Sequence, residues 1–507
     1  MLIESRGLIL RALQLSLRKK IAAAAEGKER SPRSHLVLSR DAKLSAIRWA
    51  CVLVPGLAIY FAPIEALTPN QRHLLAFFTS TIIALVVRPI PMTVSVLVSM
   101  TLLALTGTLS PAEALSGFAT PTVWLIFSAF IYAYAVTQTQ LGLRIAYFFI
   151  SRFGSTSLSL GYSLALSNLV LATVVPSDTG RGGGVMAPLV RNISHVLGSD
   201  PGPTAQRIGA YLTLVAFHTN YAASAMFLTS MVANPLIAEF ARQIAGVNLS
   251  WAHWALASSV PGLCTFTLVP WLIHHLCPPQ MKETEHARAF ARLKLKEMGP
   301  MTRTQGTLLF VLTAVIVAWI TQPLHGVSTV VIALSGLCTL LLLRVLTWEE
   351  VAGHTKAWDA VVWFAPLLMM ASQLSERGVI DVVFGAAFDR LEGWPWAFAF
   401  AALAVSYLYA HYGFASMTAH ASALYPGFLG AALVAGVPGG LAAWALAFLS
   451  SLNAGITHYG TGSAPIYFAP GYVSQDLWWL VGLIVSILNL GIWLGIGPIW
   501  WEAMGLW

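Results

Sequence analysis

The chain has 507 residues, of which 57% are hydrophobic and only 10% are charged. Soluble domains carry roughly a quarter charged residues, so this composition excludes a water-soluble enzyme. The apolar residues come in blocks of about 17 to 25, the length that crosses the hydrocarbon core of a bilayer. The sequence therefore predicts an all-α, polytopic membrane protein with about eleven transmembrane helices and two further re-entrant helical hairpins.

The net charge of +8 is concentrated in an N-terminal arm. Residues 1–48 hold eleven Lys or Arg and four acidic residues, so they account for +7 and the rest of the chain for only +1. A basic arm before the first apolar block is typical of a cytoplasmic terminus, and it does not indicate a nucleic-acid partner. Within the arm, residues 2–21 fit either a helix on the membrane surface or a disordered tail. The first transmembrane span is predicted at 49–67.

Landmark residues of the first half recur in the second half 234 to 239 positions later. The pairs are Gln71 and Gln305, Gly142 and Gly378, Ser177 and Ser416, and Ser224 and Ser463. The sequence thus predicts two homologous repeats, 68–276 and 304–507, which a polar connector at 277–303 separates. The connector is rich in Lys and Arg, so we expect it to be cytoplasmic like the arm. If the arm and the connector are both cytoplasmic and the first span precedes the first repeat, that repeat must cross the membrane an odd number of times. The two repeats then have inverted topology, as in many secondary transporters.

Each repeat contains apolar segments that are too short to cross the membrane. They lie at about 160–198 and 396–436, and each is interrupted by a polar Ser-x-Thr turn. This pattern predicts a re-entrant hairpin with an unwound tip at mid-depth, where free backbone groups must line a cavity. The alternative is a pair of ordinary spans with a loop at the surface.

The tips carry the chemistry that we expect to bind a substrate. Ser177 and Thr179 at the first tip, and Ser416 and Thr418 at the second, offer hydroxyl groups beside helix N-termini, which attract anions. The glycines after Thr179 are expected to leave backbone amides accessible. Two facing tips suit a molecule with an anionic group at each end, such as a dicarboxylate. Further polar segments, 219–224 and 457–465, follow each tip and are candidate breaks in otherwise apolar helices.

These motifs resemble those of the divalent anion/sodium symporter (DASS) family. Residues 177–184 are similar to the Ser-Asn-Thr-Ala-Arg-Gly-Gly-Gly sequence of that family, and within it the chain resembles the branch of plastid 2-oxoglutarate/malate translocators and bacterial citrate/succinate and tartrate/succinate antiporters. Segments 414–420, 224–230 and 457–462 carry the same resemblance. The resemblance implies a homodimer with a scaffold domain and a mobile transport domain that moves like an elevator. It also implies di- or tricarboxylate substrates.

Two departures from the family pattern bear on whether transport is coupled to sodium. Asp178 and Met417 stand where the family usually has Asn, and those Asn residues help form cation sites in the sodium-coupled branch. Their absence argues against sodium coupling. Asp178 could pair with Arg181, be protonated, or face away from the ligand. We further hypothesise that Arg181 and His420 act as fixed cations in place of sodium, which would favour obligatory exchange.

The candidate substrate-binding residues are Ser177, Asp178, Thr179, Arg181, Thr219, Asn220, Ser224, Ser416, Met417, Thr418, His420, Thr461, Ser463 and Pro465. The sequence indicates no metal site and no cofactor. The expected protein is a sodium-independent exchanger of C4 or C5 dicarboxylates in a bacterial cytoplasmic (inner) membrane. The competing hypotheses are a sodium-coupled symporter of the same fold, a membrane-embedded enzyme and a channel. The enzyme is disfavoured because the spans hold no paired acids or metal-ligand motif.

Overall fold

The structure is a computed structural model that describes residues 32–379, 382 and 395–507. The described residues fall into two compact units, one up to Val54 and the other from Pro55 onwards. Throughout the described residues the regular elements are helices, which confirms the all-α prediction. The predicted surface helix or tail at 2–21 lies outside the described residues.

The helices before the connector differ widely in length. In chain order they are α1 (Pro32–Phe61), α2 (Pro69–Val87), α3 (Met92–Leu105), α4 (Pro111–Leu115), α5 (Pro121–Gln138), α6 (Leu141–Phe153), α7 (Ser157–Ala172), α8 (Asp178–Arg181), α9 (Ala187–Val196), α10 (Gly209–Met226), α11 (Ala233–Ala245) and α12 (Trp251–Leu276). A π-helical turn, Gly182–Met186, joins α8 to α9.

The remaining described helices follow a similar order. They are α13 (Glu285–Glu297), α14 (Arg303–Ile320), α15 (Gln322–His325), α16 (Thr329–Leu342), α17 (Trp348–Ala352), α18 (Thr355–Glu376), α19 (Trp396–Tyr409), α20 (Met417–Val434), α21 (Gly439–Leu452), α22 (Ala464–Phe468), α23 (Gln475–Gly491) and α24 (Gly497–Ala503). Helix α13 lies in the predicted connector, and α14 begins where the second repeat is predicted to begin.

Five helical segments in the described residues are long and apolar enough to cross a membrane. They are Lys43–Phe61, Trp251–Leu276, Arg303–Ile320, Thr355–Glu376 and Gln475–Ala503. A bent pair, Pro111–Ala119 and Pro121–Gln138, meets the same criterion as one segment with an angle of 45° between its parts. The count of about eleven spans therefore stays a prediction.

The first span ends earlier than predicted. Helix α1 ends at Phe61 and not at residue 67. Ala62 precedes Pro63, and the residue before a proline disfavours the helical conformation. Glu65 also interrupts the apolar run before residue 67.

Two helix–break–helix units occupy the regions predicted to be hairpins. In the first, α7 ends at Ala172 and helical structure resumes at Asp178; in the second, α19 ends at Tyr409 and α20 begins at Met417. At 1.5 Å per residue, the 16 residues of α7 and the 14 of α19 are shorter than a hydrocarbon core of about 30 Å. Their description as re-entrant hairpins stays a prediction.

The two halves share local structure at matched positions. Capping boxes, in which the N-cap hydroxyl and the N3 side chain each bind the other's backbone amide, begin two pairs of helices at matched positions in the two halves. Their N-cap and N3 residues are Thr68 and Gln71, Ser110 and Glu113, Thr302 and Gln305, and Thr347 and Glu350. Left-handed backbone conformations also recur at matched turns, in the pairs Gly107 and Arg344, Gln140 and Gly378, and Gly198 and Gly436. The repeat therefore extends from the sequence to backbone geometry.

Reciprocal hydrogen bonds join the two halves. Gln71 Nε2 donates to the carbonyl oxygen of Arg377 at 2.6 Å, and Gln305 Nε2 donates to the carbonyl oxygen of Thr139 at 2.7 Å. Thr139 and Arg377 follow α5 and α18 directly, where helix carbonyls lack intrahelical partners. Each half thus caps a helix C-terminus of the other half.

The centre of the unit 55–507 is α10. Every residue of α10 is buried. It lies against α7, α12 and α21, which brings the first helix–break–helix unit and the second repeat together around one polar core.

Replacing Gln305 with Ala should destabilise the protein, since the carbonyl of Thr139 would lose its donor in a buried site. We expect a loss of about 1–3 kcal/mol, measured as a lower midpoint of thermal unfolding in detergent. Gln138→Ala is the matched control, because Gln138 is exposed. Equal midpoints for the two variants would contradict the capping role.

Candidate functional site

The two polar tips meet at one small cavity of about 80 Å³. Its lining residues are Pro176, Ser177, Asp178, Thr179, Met231, Val232, Ser416, Met417, Thr418, Thr461 and Gly462. A cavity needs about 10–15 Å³ of such space to hold one water molecule, so this cavity has room for a small molecule. Residues 239 positions apart in the sequence therefore lie on the same cavity.

The first tip is built by a serine N-cap. Ser177 has an extended backbone (φ −135°, ψ 113°), and its Oγ accepts a hydrogen bond from the amide of Gly180 at 3.0 Å. Since this bond uses a lone pair of the hydroxyl, its proton remains able to donate to a ligand. Thr179, which follows, is exposed.

The second tip repeats this geometry. Ser416 is also extended (φ −154°, ψ 124°), and its Oγ accepts from the amide of Ala419 at 3.4 Å. Helix α20 starts at the cavity, as does the helical run of α8, the π-helical turn and α9. Each helix N-terminus carries the equivalent of about +0.5 charge. Two such ends at one cavity favour an anion.

Asp178 joins the first tip to the second repeat. Its carboxylate accepts hydrogen bonds from Asn220 Nδ2, Thr461 Oγ1 and Ser463 Oγ, the last at 2.7 Å. Within the described residues, Asp178 forms no direct ion pair with Arg181, which was one of the three alternatives for this residue. Asp178 is 4% exposed, and its carboxylate is bound by three neutral donors.

Arg181 lies behind the cavity and does not line it. The side chain is completely buried. Its donors bind the side chain and carbonyl of Asn220, Ser224 Oγ, and the carbonyls of Val175 and Ser230, at 2.7–3.3 Å. These bonds occupy the guanidinium, so the hypothesis that Arg181 binds a substrate carboxylate is wrong for this structure.

His420 is also displaced from the cavity. Its ring is fully buried and lies edge-on to the rings of Tyr407 and His411, at centroid distances of 4.5 and 5.1 Å. Thr418 on the same helix lines the cavity. Two residues along an α-helix correspond to a rotation of about 200°, so His420 points away. The structure thus contradicts its role as a fixed cation in contact with the substrate.

The other candidate residues surround the cavity lining without belonging to it. Thr219 Oγ1 donates to the carbonyl of Val215 within its own helix. Asn220, Ser224 and Ser463 bind Asp178 or Arg181. Pro465 is exposed. The candidates that the structure does bring to the cavity are Ser177, Asp178, Thr179, Ser416, Met417, Thr418 and Thr461.

One predicted helix break is misplaced. Residues 219–224 lie within the continuous helix α10, and the break comes afterwards, at 227–232. The sequence has no Gly or Pro between Gly209 and Pro235 that would interrupt α10 earlier. In the second repeat, 453–463 separates α21 from α22, in agreement with the predicted break at 457–465.

The misplaced break explains why Met231 and Val232 were missed as lining residues. Both lie in the interruption before α11. A signal was available nearby, since Ser230 Oγ bonds to the carbonyls of Ser224 and Phe227, and Asn234 Nδ2 donates to the same two carbonyls. Polar side chains just before Pro235 thus mark the end of α10.

The glycines after the first tip allow close approach to side chains of both repeats. A Cβ on Gly182 would lie 2.5 Å from Nδ2 of Asn220, and one on Gly183 would collide with Cδ1 of Ile466. A Cβ on Gly184 would meet no atom within 4 Å. Gly182 and Gly183 therefore make room for neighbouring side chains, whereas the sequence suggested exposed amides.

This combination of fold and site defines a class of protein. Two sequence-related halves of a multi-pass, all-helical membrane protein bring polar helix starts to one small internal cavity, as substrate sites are built in secondary transporters. The class is therefore that of membrane transporters and not of enzymes.

The chain belongs to the family described as "Sodium:sulfate symporter transmembrane region", whose model matches residues 43–507. This finding confirms the predicted membership of the divalent anion/sodium symporter family.

Curated relatives support the same placement. The chain is 43% identical over 470 residues to the "Putative malate transporter YflS" of Bacillus subtilis, a match that covers 92% of this chain and 98% of YflS. It is 41% identical to the spinach (Spinacia oleracea) "Dicarboxylate transporter 1, chloroplastic", covering 90% of this chain and 81% of that protein. It is 33% identical to the "Inner membrane protein YbhI" of Escherichia coli, covering 90% and 98%.

Among solved structures, the YdaH transporter of Alcanivorax borkumensis shares the fold. The TM-score is 0.51 at 16% identity, covering 78% of this chain and 88% of that chain, and its crystal structure is described as having an unusual topology.

The glycine tract offers a paired test of this geometry. Gly182→Ala should lower the midpoint of thermal unfolding, since the new methyl group would displace Asn220, at an expected cost of about 1–3 kcal/mol. Gly184→Ala should leave the midpoint unchanged or raise it, because Ala is favoured over Gly in helices by about 1 kcal/mol and the site is open. An equal effect of both substitutions on the midpoint would show that the close approach of Gly182 to Asn220 does not determine stability.

Proposed function

We propose that this protein is a secondary active transporter that exchanges C4 or C5 dicarboxylates, such as malate, succinate or 2-oxoglutarate, without sodium. The observation that carries the proposal is the pair of serine-capped helix starts on one cavity, at Ser177 and Ser416. Malate and dicarboxylate transporters among the relatives support the substrate class. Citrate and tartrate are further candidate substrates.

The charge of the site favours a dianion. Two helix N-termini together supply the equivalent of about one positive charge, and four hydroxyl groups, those of Ser177, Thr179, Ser416 and Thr418, can donate to carboxylate oxygens. Each carboxylate of the substrate would bind at one tip. A neutral solute of the same size would gain less binding free energy at each of the two tips.

Sodium independence is supported by Asp178 and Met417. Sodium prefers oxygen ligands, whereas the Met417 thioether is a soft ligand that suits other metals. The Asp178 carboxylate already accepts hydrogen bonds from three side chains. The Met417 side chain therefore offers no oxygen to a cation, and three neutral donors already share the Asp178 carboxylate.

Exchange is supported by the cost of moving an empty site. Without a ligand, the hydroxyl donors and two helix N-termini would cross the membrane unneutralised, and unsatisfied donors are costly in a medium of low polarity. A bound dianion removes this cost in both directions. This argument replaces the one based on Arg181 and His420, whose side chains do not reach the cavity.

We further propose an elevator-type movement within a homodimer in the cytoplasmic (inner) membrane, with the N-terminus in the cytoplasm. Both tips and the broken segments after α10 and α21 surround a single cavity. These elements are therefore suited to move together as a transport domain while other helices serve as the scaffold.

Counterflow into proteoliposomes tests the proposed exchange. Vesicles preloaded with unlabelled malate should accumulate labelled succinate in sodium-free buffer, while vesicles without internal dicarboxylate should not. Uptake that requires a sodium gradient and no internal substrate would establish the sodium-coupled symporter instead. Inorganic sulfate and citrate in the internal solution define the substrate range.

Ser416→Ala tests the binding role of the second tip. The substitution removes a hydroxyl donor and a helix cap. We expect the KM for succinate to rise about ten- to hundredfold, because a hydrogen bond to a charged group contributes about 1.5–3 kcal/mol. Ser422→Ala is the matched control on the same helix, since the Ser422 hydroxyl donates to the carbonyl of Thr418. Equal KM values for the two variants would remove Ser416 from the proposed site.

A further inference from the structure

Two adjoining cavities form a cleft that is distinct from the cavity at the tips. Their volumes are about 510 and 490 Å³. They share the lining residues Pro121, Thr122, Glu239 and Arg242, so we treat them as one space, named the cleft. The cleft is several times larger than the cavity between Ser177 and Ser416.

Helix α11 leads from the tip cavity to the cleft. Met231 and Val232, which precede α11, line the tip cavity. Pro235, Ala238, Glu239 and Arg242 line the cleft, and their spacing places them on one face of α11. The ten residues from Val232 to Arg242 correspond to a distance of about 15 Å along a helix.

Arg242 presents its charge to the cleft. Its Nε and Nη2 donate to the Glu239 carboxylate, but the Arg242 side chain is 59% exposed and that of Glu239 only 15%. Glu239 also accepts from Gln243 Nε2. The carboxylate is thus the inner partner, and the guanidinium keeps Nη1 and its outer edge available to a second anion.

The rest of the cleft lining is polar. Among the described residues that line it, Glu239 and Arg242 are the charged ones, and a second carboxylate, that of Glu376, acts on Arg242 from beside the cleft. Hydroxyl groups of Thr120, Thr122 and Ser328 surround the pair, whereas that of Ser372 donates to Glu376. The long helices α5 and α16 also begin here, with Thr120 and Ser328 as their N-caps.

We propose that the cleft is an access vestibule in which Arg242 binds the small dicarboxylate transiently before it reaches the tips. The proposal rests on the proposed function and adds a second anion site to it. Glu239 shares the guanidinium with the incoming carboxylate and so keeps the interaction weak. A weak site suits a vestibule, since a tightly held ion would not move on to the tips.

Exchange kinetics in proteoliposomes distinguish this role from that of a structural ion pair. Arg242→Gln should raise the KM for succinate about three- to tenfold, as expected for the loss of one partly solvated charge near a dianion, with little change in Vmax. Glu239→Gln should lower the KM, because the guanidinium is released to the substrate. Arg242→Lys should retain most of the wild-type KM, and Arg292→Gln, in the exposed part of α13, is the matched control. A structural pair would instead give the same direction of change for Arg242→Gln and Glu239→Gln, which would overturn the proposal.

Cysteine labelling tests the cleft without relying on transport. In a Cys51→Ser, Cys338→Ser background, which removes the exposed cysteines of the described residues, Thr122→Cys should react faster with an anionic than with a cationic methanethiosulfonate. Adding Arg242→Gln should reduce this rate ratio about threefold or more, and high salt should reduce it as well. An unchanged ratio overturns the vestibule. A ratio that depends on Arg242 in a protein that does not exchange dicarboxylates would support the anion site and refute the proposed function.

Discussion

The site depends on a buried hydrogen-bonded chain that runs from Arg181 through Asn220 to Asp178. A buried charge is costly unless it is paired and hydrogen-bonded. Here Asn220 accepts from the guanidinium with Oδ1 and donates to the carboxylate with Nδ2, so both charges are compensated although they do not touch. Because Asp178 also binds Thr461 and Ser463, the chain fixes the first tip to α10 and to the second repeat.

This arrangement changes where positive charge for a ligand must come from. The hydrogen-bond donors of Arg181 bind acceptors within the protein, and its charge offsets that of Asp178. The cavity itself is left with hydroxyl groups and two helix starts, which are partial charges fixed by the backbone. Such charges need no proton and no bound cation, which is the basis of the sodium independence that we propose.

The sequence predicted the elements that follow from local rules and missed those that follow from tertiary contacts. Matched Ser-x-Thr turns, the paired helix–break–helix units and the break near 457–465 were predicted from spacing, Gly and Pro alone. The direction in which the side chains of Arg181 and His420 point could not be predicted, since it depends on helical phase and on which acceptors compete for their donors. The break after Met226 was misplaced for a related reason: buried hydroxyls such as that of Thr219 bond within their own helix and do not interrupt it.

The two tips share their capping serines and threonines at the cavity and differ at the matched positions between and behind these residues. Ser177 matches Ser416, and Thr179 matches Thr418, because both helices must start at the cavity with a capping hydroxyl. The next matched positions diverge: Asp178 and Arg181 belong to the polar chain, whereas Met417 is buried and His420 lies among aromatic rings. A second buried charge pair at the other tip would add desolvation cost. The repeat is therefore preserved in the capping residues that line the cavity and is relaxed in the side chains around them.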